Sequence, residues 1–118
     1  MKKIIEKSEG REIINKITLT GNLGKDPTLD NVGKAQKVTR FTMATNQEYR
    51  NSKGELIKNT LWHNVLAWGD LAIEIHEKLK KGNRITVEGR INYNSYSDKK
   101  GGKRIFTDII ANVVRKHE

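Results

Sequence analysis

Two polar stretches of this sequence combine tyrosine with clustered basic residues. Tyr49 stands before Arg50, Lys53 and Lys58, and in the second stretch Tyr93 and Tyr96 stand before Lys99, Lys100, Lys103 and Arg104. Tyrosines in such surroundings are poor candidates for a hydrophobic core. Their rings would suit unpaired bases, because stacking a base on an aromatic ring contributes about 1–3 kcal/mol whatever the sequence, and the cations would neutralise phosphates. The stretches therefore suggest contact with a single-stranded nucleic acid, with ordinary solvent-exposed loops as the alternative.

Both tryptophans lie in one stretch, Thr60–Trp68, which alternates with the period of a β-strand. One face would carry Trp62, Asn64, Leu66 and Trp68, and the other Leu61, His63, Val65 and Ala67. The strand is either a core element or a platform for stacking bases, and the pattern leaves open which face fills the core. A stacking role for both tryptophans conflicts with Leu66 on their face, which makes Trp68 the weaker candidate.

The sequence contains no set of residues with the spacing of a catalytic or metal site. His63, His76 and His117 are predicted on a strand, a helix and a tail, with no shared ligand spacing. Glu88 and Asp108 alternate with apolar residues, so that both are expected on solvated strand faces. We therefore predict a protein that is not an enzyme and holds no metal or cofactor.

The bulk composition favours one domain with a polyanionic partner. The chain has 118 residues, of which 23 are Lys or Arg and 14 are Asp or Glu, and its formal net charge is +9. This charge favours nucleic acid over an anionic membrane surface. Cysteine is absent, so neither disulfides nor zinc thiolates hold the fold. No apolar run approaches the roughly 18 residues of a membrane span, and the basic start lacks the apolar core of a signal peptide. A cytoplasmic protein without a membrane partner is expected.

Hydrophobic periodicity predicts five strands and one helix. The strands fall at about 15–23, 38–46, 60–68, 84–91 and 105–114. A four-residue recurrence of Leu71, Ile75 and Leu79 predicts a helix over 70–81. Residues 47–59 are expected to form a long hairpin loop or ribbon, and residues 24–37 and 92–104 are expected to be turns and polar loops.

The order of these elements indicates the fold class. Three strands, a helix and two strands predict an all-β protein, a five-stranded OB-fold Greek-key barrel with one helix between strands three and four. Gly89 falls on the core face of its strand, which predicts a bulge or sharp bend there. The domain is predicted over residues 14–115. Residues 1–13 form a charged arm, either disordered or added to the domain edge, and residues 116–118 form a terminal stub.

Several segments together resemble the bacterial single-stranded DNA-binding protein (SSB) family. Asn15–Pro27 resembles the first strand and turn of that family, Phe41–Asn46 the second strand, Thr60–Val65 with Trp68-Gly69 the third, and Leu79–Gly82 with Val87–Ile91 the end of the helix and the fourth strand. The match runs in order from about residue 15 to 114, and the combination is much more specific than any one segment.

The resemblance implies an OB-fold that binds and protects single-stranded DNA without strong sequence preference, in DNA replication, recombination and repair. The family stacks bases on aromatic residues, and by position these are Tyr49, Trp62, Trp68 and Tyr96. The family often has Trp at the positions of Tyr49 and Tyr96 and Phe at the position of Trp68. Contacts with phosphates or the DNA backbone are predicted for Lys16, Arg40, Arg50, Lys53, Lys58, Arg90, Lys99, Lys100, Lys103 and Arg104.

The resemblance also implies assembly and partners. Family members are usually homotetramers in the bacterial cytoplasm, at the nucleoid. They usually continue into a flexible linker and an acidic tip that recruits replication and repair enzymes, whereas this sequence stops at Glu118 without an acidic tail, which leaves those partners undecided. The alternatives are a primosome-type OB-fold adaptor that works through protein contacts, and an RNA-binding OB domain.

Overall fold

The computed structural model describes residues 5–8, 10–33 and 36–118, apart from the side chain of Tyr96. Within these residues the chain forms six strands and one helix. They are β1 Ile17–Leu23, β2 Thr28–Val32, β3 Gln36–Arg50, β4 Leu56–Trp68, α1 Gly69–Lys78, β5 Arg84–Ser97 and β6 Lys103–Lys116. The same described part contains no helix that is long and apolar enough to cross a membrane.

Five strands close into a barrel in the order β1-β5-β6-β4-β3, and β3 returns to β1. The closing contact joins Asn22 and Leu23 of β1 to Ala44 and Met43 of β3. All barrel neighbours are antiparallel except β4 and β6, which run parallel. The predicted OB-fold is therefore confirmed, with five barrel strands and the helix between the third and fourth of them.

The barrel interior consists of tightly packed apolar side chains from every barrel strand. The buried cluster comprises Leu23, Phe41, Met43, Val65, Ala67, Ile75, Leu79, Ile85, Val87, Ile109 and Ala111. Ile75 belongs to α1, and Leu79 is the first residue after the helix ends. The helix therefore packs its apolar stripe against the barrel. Because Val65 and Ala67 point inward, the face of β4 that carries both tryptophans points outward.

Gly89 lies at an irregularity in the pairing of β5 with β6. The register of β5 against β6 shifts between Glu88 and Gly89, which confirms the predicted bulge. A Cβ atom at Gly89 would collide with the backbone carbonyl of Ile110. Only a residue without a side chain lets the two strands approach so closely, and such a bulge helps a sheet to close into a barrel.

Three local predictions were wrong. Residues 28–32 form β2, a short strand that pairs with residues 36–40 of β3, whereas β1 pairs with β3 at Met43 and Ala44. Residues 92–104 are mostly strand, because β5 and β6 continue beyond the barrel as a two-stranded ribbon. The helix ends at Lys78 rather than at residue 81, since Leu79 is already extended. The expected ribbon within residues 47–59 is confirmed, with β3 and β4 paired up to Arg50 and Leu56.

The segment that precedes β1 is attached to the barrel by one side chain. The Asn15 carboxamide donates a hydrogen bond to the carbonyl of Ile91 (2.9 Å) and accepts one from its N–H group (3.0 Å). The Asn15 side chain thus continues the contact with β5 two positions beyond the last β1–β5 pair, Ile17 and Gly89. Residues 11–16 have no regular secondary structure, and residues 1–4 and 9 of the predicted arm lie outside the described residues.

Candidate nucleic-acid interface

Trp62 is the most exposed tryptophan, on the outer face of β4. Its side chain is 60% exposed. The residue pairs with Ala44 of β3, and the edge of its indole lies against Gly24 in the turn after β1. One edge of the ring is therefore supported, while much of the remainder contacts solvent. This is the arrangement that a stacking base requires.

Trp68 lies on the same face of β4, six residues further along and therefore about 20 Å away. It is 42% exposed and pairs directly with Val38, which is only 1% exposed. Leu66, between the two tryptophans, is buried on this outer face although it lies outside the buried barrel cluster. Val38 and Leu66 are thus outer-face residues with little exposed surface, so an apolar Leu66 between the tryptophans is compatible with their outward position.

The β3–β4 ribbon, residues 46–60, projects from the barrel and carries several of the predicted contacts. Tyr49 is half-exposed and pairs with Ile57, and its position in the alternation places it on the ribbon face opposite Trp62. The Asn51 side chain accepts hydrogen bonds from the N–H groups of Lys53 and Glu55, which orders the tip. The tip therefore presents Lys53 on a defined turn.

Two of the basic residues on this ribbon have partners. Arg50 donates from Nη1 to the carbonyl of Gly54 (2.8 Å), so its guanidinium lies against the turn. The Nζ atom of Lys58 is 3.9 Å from Oε1 of Glu48, and both side chains are exposed. Solvent-exposed pairs of this kind contribute little and exchange easily.

The β5–β6 ribbon, residues 92–107, carries the second basic cluster at its tip. Oδ1 of Asp98 accepts hydrogen bonds from the N–H groups of Lys100 (2.9 Å) and Gly102 (2.7 Å), and Oδ2 lies 3.5 Å from Nε of Arg104. Lys99, Lys100 and Lys103 are exposed. Tyr96 pairs through its backbone with Arg104, while its side chain lies outside the described residues.

The remaining predicted contacts are distributed over the barrel surface. Arg40 lies on the outer face of β3 and pairs with Leu66. Arg90 pairs with Ile110, which in turn pairs with Leu66, so Arg90 lies two strands from the tryptophan strand, or about 10 Å. Lys16 is exposed just before β1. Arg40, Arg90 and Lys16 have no ion pair with any residue that the structure describes.

A groove of about 570 Å³ lies on the outer face between the turn after β1 and the β5–β6 ribbon. Its floor includes Arg40, Asn64 and Leu66 of β3 and β4. One wall includes Lys25, and the opposite wall includes Phe106. Hence the groove joins the tryptophan face to the basic ribbon.

Arg40 is the one groove residue among the predicted contacts, and Lys25, Asn64 and Phe106 are groove residues suited to binding that were not predicted. Phe106 alternates with Ile105 and Thr107, and it faces the same side as Asp108 and away from the core residue Ile109. That parity was present in the sequence and could have indicated an outward aromatic ring. The groove itself could not be inferred, because it depends on how the two walls are placed in space.

Asp108 contradicts the expectation of a solvated face. It is on the outer side of β6 but only 8% exposed. The Nδ2 group of Asn94 donates to Oδ2 of Asp108 at 2.9 Å. Glu88 is partly exposed and pairs with Arg115 at 3.1 Å. Among the described residues, no three His, Cys, Asp or Glu side chains form a group that could hold a metal ion.

The fold and this surface define a class of protein: an OB-fold barrel with two exposed tryptophans on one outer face and with cations on the barrel surface and on two ribbons. The single-strand binding protein family model matches residues 14–116, and the chain belongs to that family. The resemblance inferred from the sequence is thus confirmed.

Individual relatives agree with this assignment. "Single-stranded DNA-binding protein 1" of Chlorobaculum tepidum is 40% identical over 98 residues, which are 82% of this chain and 60% of the relative. The single-stranded DNA-binding protein of Xanthomonas campestris is 36% identical over 99 residues, 84% of this chain and 58% of the relative. The chain thus spans about 60% of the length of the curated relatives it matches.

A solved structure shares the fold over almost its full length. The Plasmodium falciparum SSB complex with single-stranded DNA has a TM-score of 0.84 and 26% sequence identity to this chain. The match covers 92% of this chain and 99% of that one.

Proposed function

We propose that this chain binds and protects single-stranded DNA without strong sequence preference. The observation that carries the proposal is the outward Trp62, supported on Gly24 and 60% exposed within an otherwise well-packed barrel. Large aromatic side chains contribute most to the free energy of folding or binding when they are buried. An exposed, supported indole is therefore suited to a partner that stacks on it. The family membership and the named relatives point to DNA as that partner.

Base stacking in this proposal involves Tyr49, Trp62, Trp68 and Tyr96. Phosphates are neutralised by the predicted basic residues on the barrel and on the two ribbons. Lys53, Lys99, Lys100 and Lys103 support this role, because their side chains make no ion pair within the described part of the chain. Such cations release counterions when they meet phosphates, so the affinity falls as salt rises.

The wider biology is part of the same proposal. The chain acts without catalysis, as a homotetramer, in DNA replication, recombination and repair at the nucleoid in the cytoplasm. Support comes from the family assignment and from a net charge of +9, which suits a polyanionic partner.

Fluorescence titration tests the proposal. Oligo-dT added at low salt should quench tryptophan emission to a saturating plateau, and the logarithm of the association constant should fall linearly with the logarithm of the salt concentration. Duplex DNA and oligo-U should compete poorly. Equal affinity for duplex DNA, or no quenching at low salt, would contradict the proposal, and stronger binding of oligo-U would replace DNA by RNA. Light scattering should show four chains per particle.

A further inference from the structure

The groove beside the tryptophan face has the size and polarity of a nucleotide site. Its volume of about 570 Å³ lies within the range of about 300–1,000 Å³ that is typical of small-molecule pockets. It has an apolar floor at Leu66 and an aromatic ring at Phe106, which is 49% exposed. Phe106 is not among the four aromatic positions that the family resemblance supplies.

Charge is distributed unevenly around this groove. Arg40 and Lys25 supply two cations, and neither forms an ion pair or a side-chain hydrogen bond with the residues that the structure describes. The two carboxylates in the lining are already engaged. Asp26 accepts the N–H group of Lys81 at 2.7 Å, and Asp108 accepts from Asn94 at 2.9 Å.

This distribution orients a bound nucleotide. A phosphate is attracted to Arg40 and Lys25, and it is repelled by Asp108 and by Asp26, the chain neighbour of Lys25, which leaves Arg40 as the favoured phosphate contact. The base is thereby directed towards the side of the groove that contains Phe106 and Asp108. Phe106 pairs with Asn94 on the β5–β6 ribbon. Between the two ends lies Asn64, whose carboxamide has no partner within the described residues and can hydrogen bond a base edge as donor or acceptor.

We propose that the groove binds one nucleotide of a single strand, with its base stacked on Phe106 and its phosphate on Arg40. The inference rests on the proposed DNA-binding function and adds a stacking residue and a phosphate residue that act as a pair. A carboxamide fits the edge of any base, so Asn64 adds affinity without selecting a base.

Substitution at Phe106 tests the stacking part of this inference. Phe106→Ala should weaken binding of a labelled oligo-dT by about 5- to 150-fold, the range that base–aromatic stacking corresponds to. Phe106→Tyr should keep wild-type affinity, and Phe106→Leu should lose most of it because the ring is needed. The matched control is Ile105→Ala, a neighbouring exposed residue on the opposite face of β6, which should leave affinity unchanged.

Arg40 is tested through the salt dependence. Arg40→Gln should weaken binding and reduce the slope of log affinity against log salt by about 1. The double variant with Phe106→Ala should lose less than the sum of the single losses, since the two residues hold one nucleotide.

A crosslink on the unaltered protein keeps the inference testable if a variant folds poorly. An oligo-dT that contains 5-iodouracil should give, after irradiation and peptide mapping, an adduct on Phe106. Three results would each overturn the inference: no adduct on Phe106, unchanged affinity in Phe106→Ala, or an equal loss of affinity in Ile105→Ala. In each case strong binding of oligo-dT by the wild type would leave the proposed function intact, whereas its absence would contradict the function itself.

Discussion

The indole of Trp62 packs edge-on against the backbone of Gly24, and a methyl group built at residue 24 would lie 3.0 Å from Cη2 of the ring and still closer to Cζ3. The turn after β1 therefore supports one edge of the proposed stacking residue. Since the obstacle is a side chain at the surface, the ring can move away at modest cost to stability.

Gly24→Ala should therefore impair binding more than folding. We expect a shift in the tryptophan emission spectrum and a loss of up to about 1–2 kcal/mol in oligo-dT affinity, part of the value of one stacked base. Fluorescence and a labelled-oligonucleotide titration measure the two effects. In a Trp62→Ala background the same change should have almost no effect on affinity, and a full effect there would contradict the link between the two residues.

Gly21→Ala should have the opposite profile. A Cβ atom at residue 21 would collide with the carbonyl of Ala44, where β1 and β3 close the barrel. A backbone group at a strand crossing cannot move without opening the barrel, so the expected cost is about 1–3 kcal/mol of folding free energy. Urea denaturation measures this cost, and Gly24→Ala is its control because the neighbouring atoms there belong to side chains. Equal losses of stability in the two variants would contradict the distinction.

The barrel could be predicted because its strands alternate between a packed interior and an outer surface. Val65 and Ile85 appear in the sequence as members of period-two patterns for that physical reason. The β5–β6 ribbon could not be predicted in the same way, since both of its faces are largely exposed and residues 92–104 have no apolar period. Its strands are specified by pairing with each other.

The candidate site was predicted less completely than the barrel. The exposed position of Trp62 was one of two alternatives, and the choice required knowing that Val65 fills the interior. The low exposure of Val38 and Leu66 and the burial of Asp108 depend on neighbours that are distant in sequence. Local alternation contains no information about which outer surfaces another segment covers.

Trp62→Ala and Trp68→Ala should separate binding from stability. Trp68 lies beside the buried Val38, so its truncation should cost about 1–2 kcal/mol of folding free energy, whereas truncation of the more exposed Trp62 should cost less than about 1 kcal/mol. Urea denaturation measures these values. Trp62→Ala should nevertheless lose about 1–3 kcal/mol of affinity for a labelled oligo-dT, at least as much as Trp68→Ala loses. A Trp62→Ala variant with wild-type affinity would remove Trp62 from the interface.

Glu48→Gln should strengthen DNA binding at low salt. Glu48 is the acidic partner of Lys58 on the β3–β4 ribbon, at 3.9 Å, and its removal deletes a negative charge beside a predicted phosphate contact. Because the pair is exposed, folding stability should change by less than about 1 kcal/mol. The expected gain in affinity is about two- to threefold, and it should vanish as added salt screens the charges.

A second exposed glutamate–lysine pair provides the control for Glu48→Gln. Glu74 pairs with Lys78 at 3.0 Å on α1, which carries none of the predicted DNA contacts. Glu74→Gln makes the same change in net charge, so a general electrostatic effect would appear in both variants. Titrations with labelled oligo-dT at two salt concentrations compare them. A gain in Glu48→Gln alone places Lys58 on the path of the DNA, and equal gains in the two variants would show that only net charge matters.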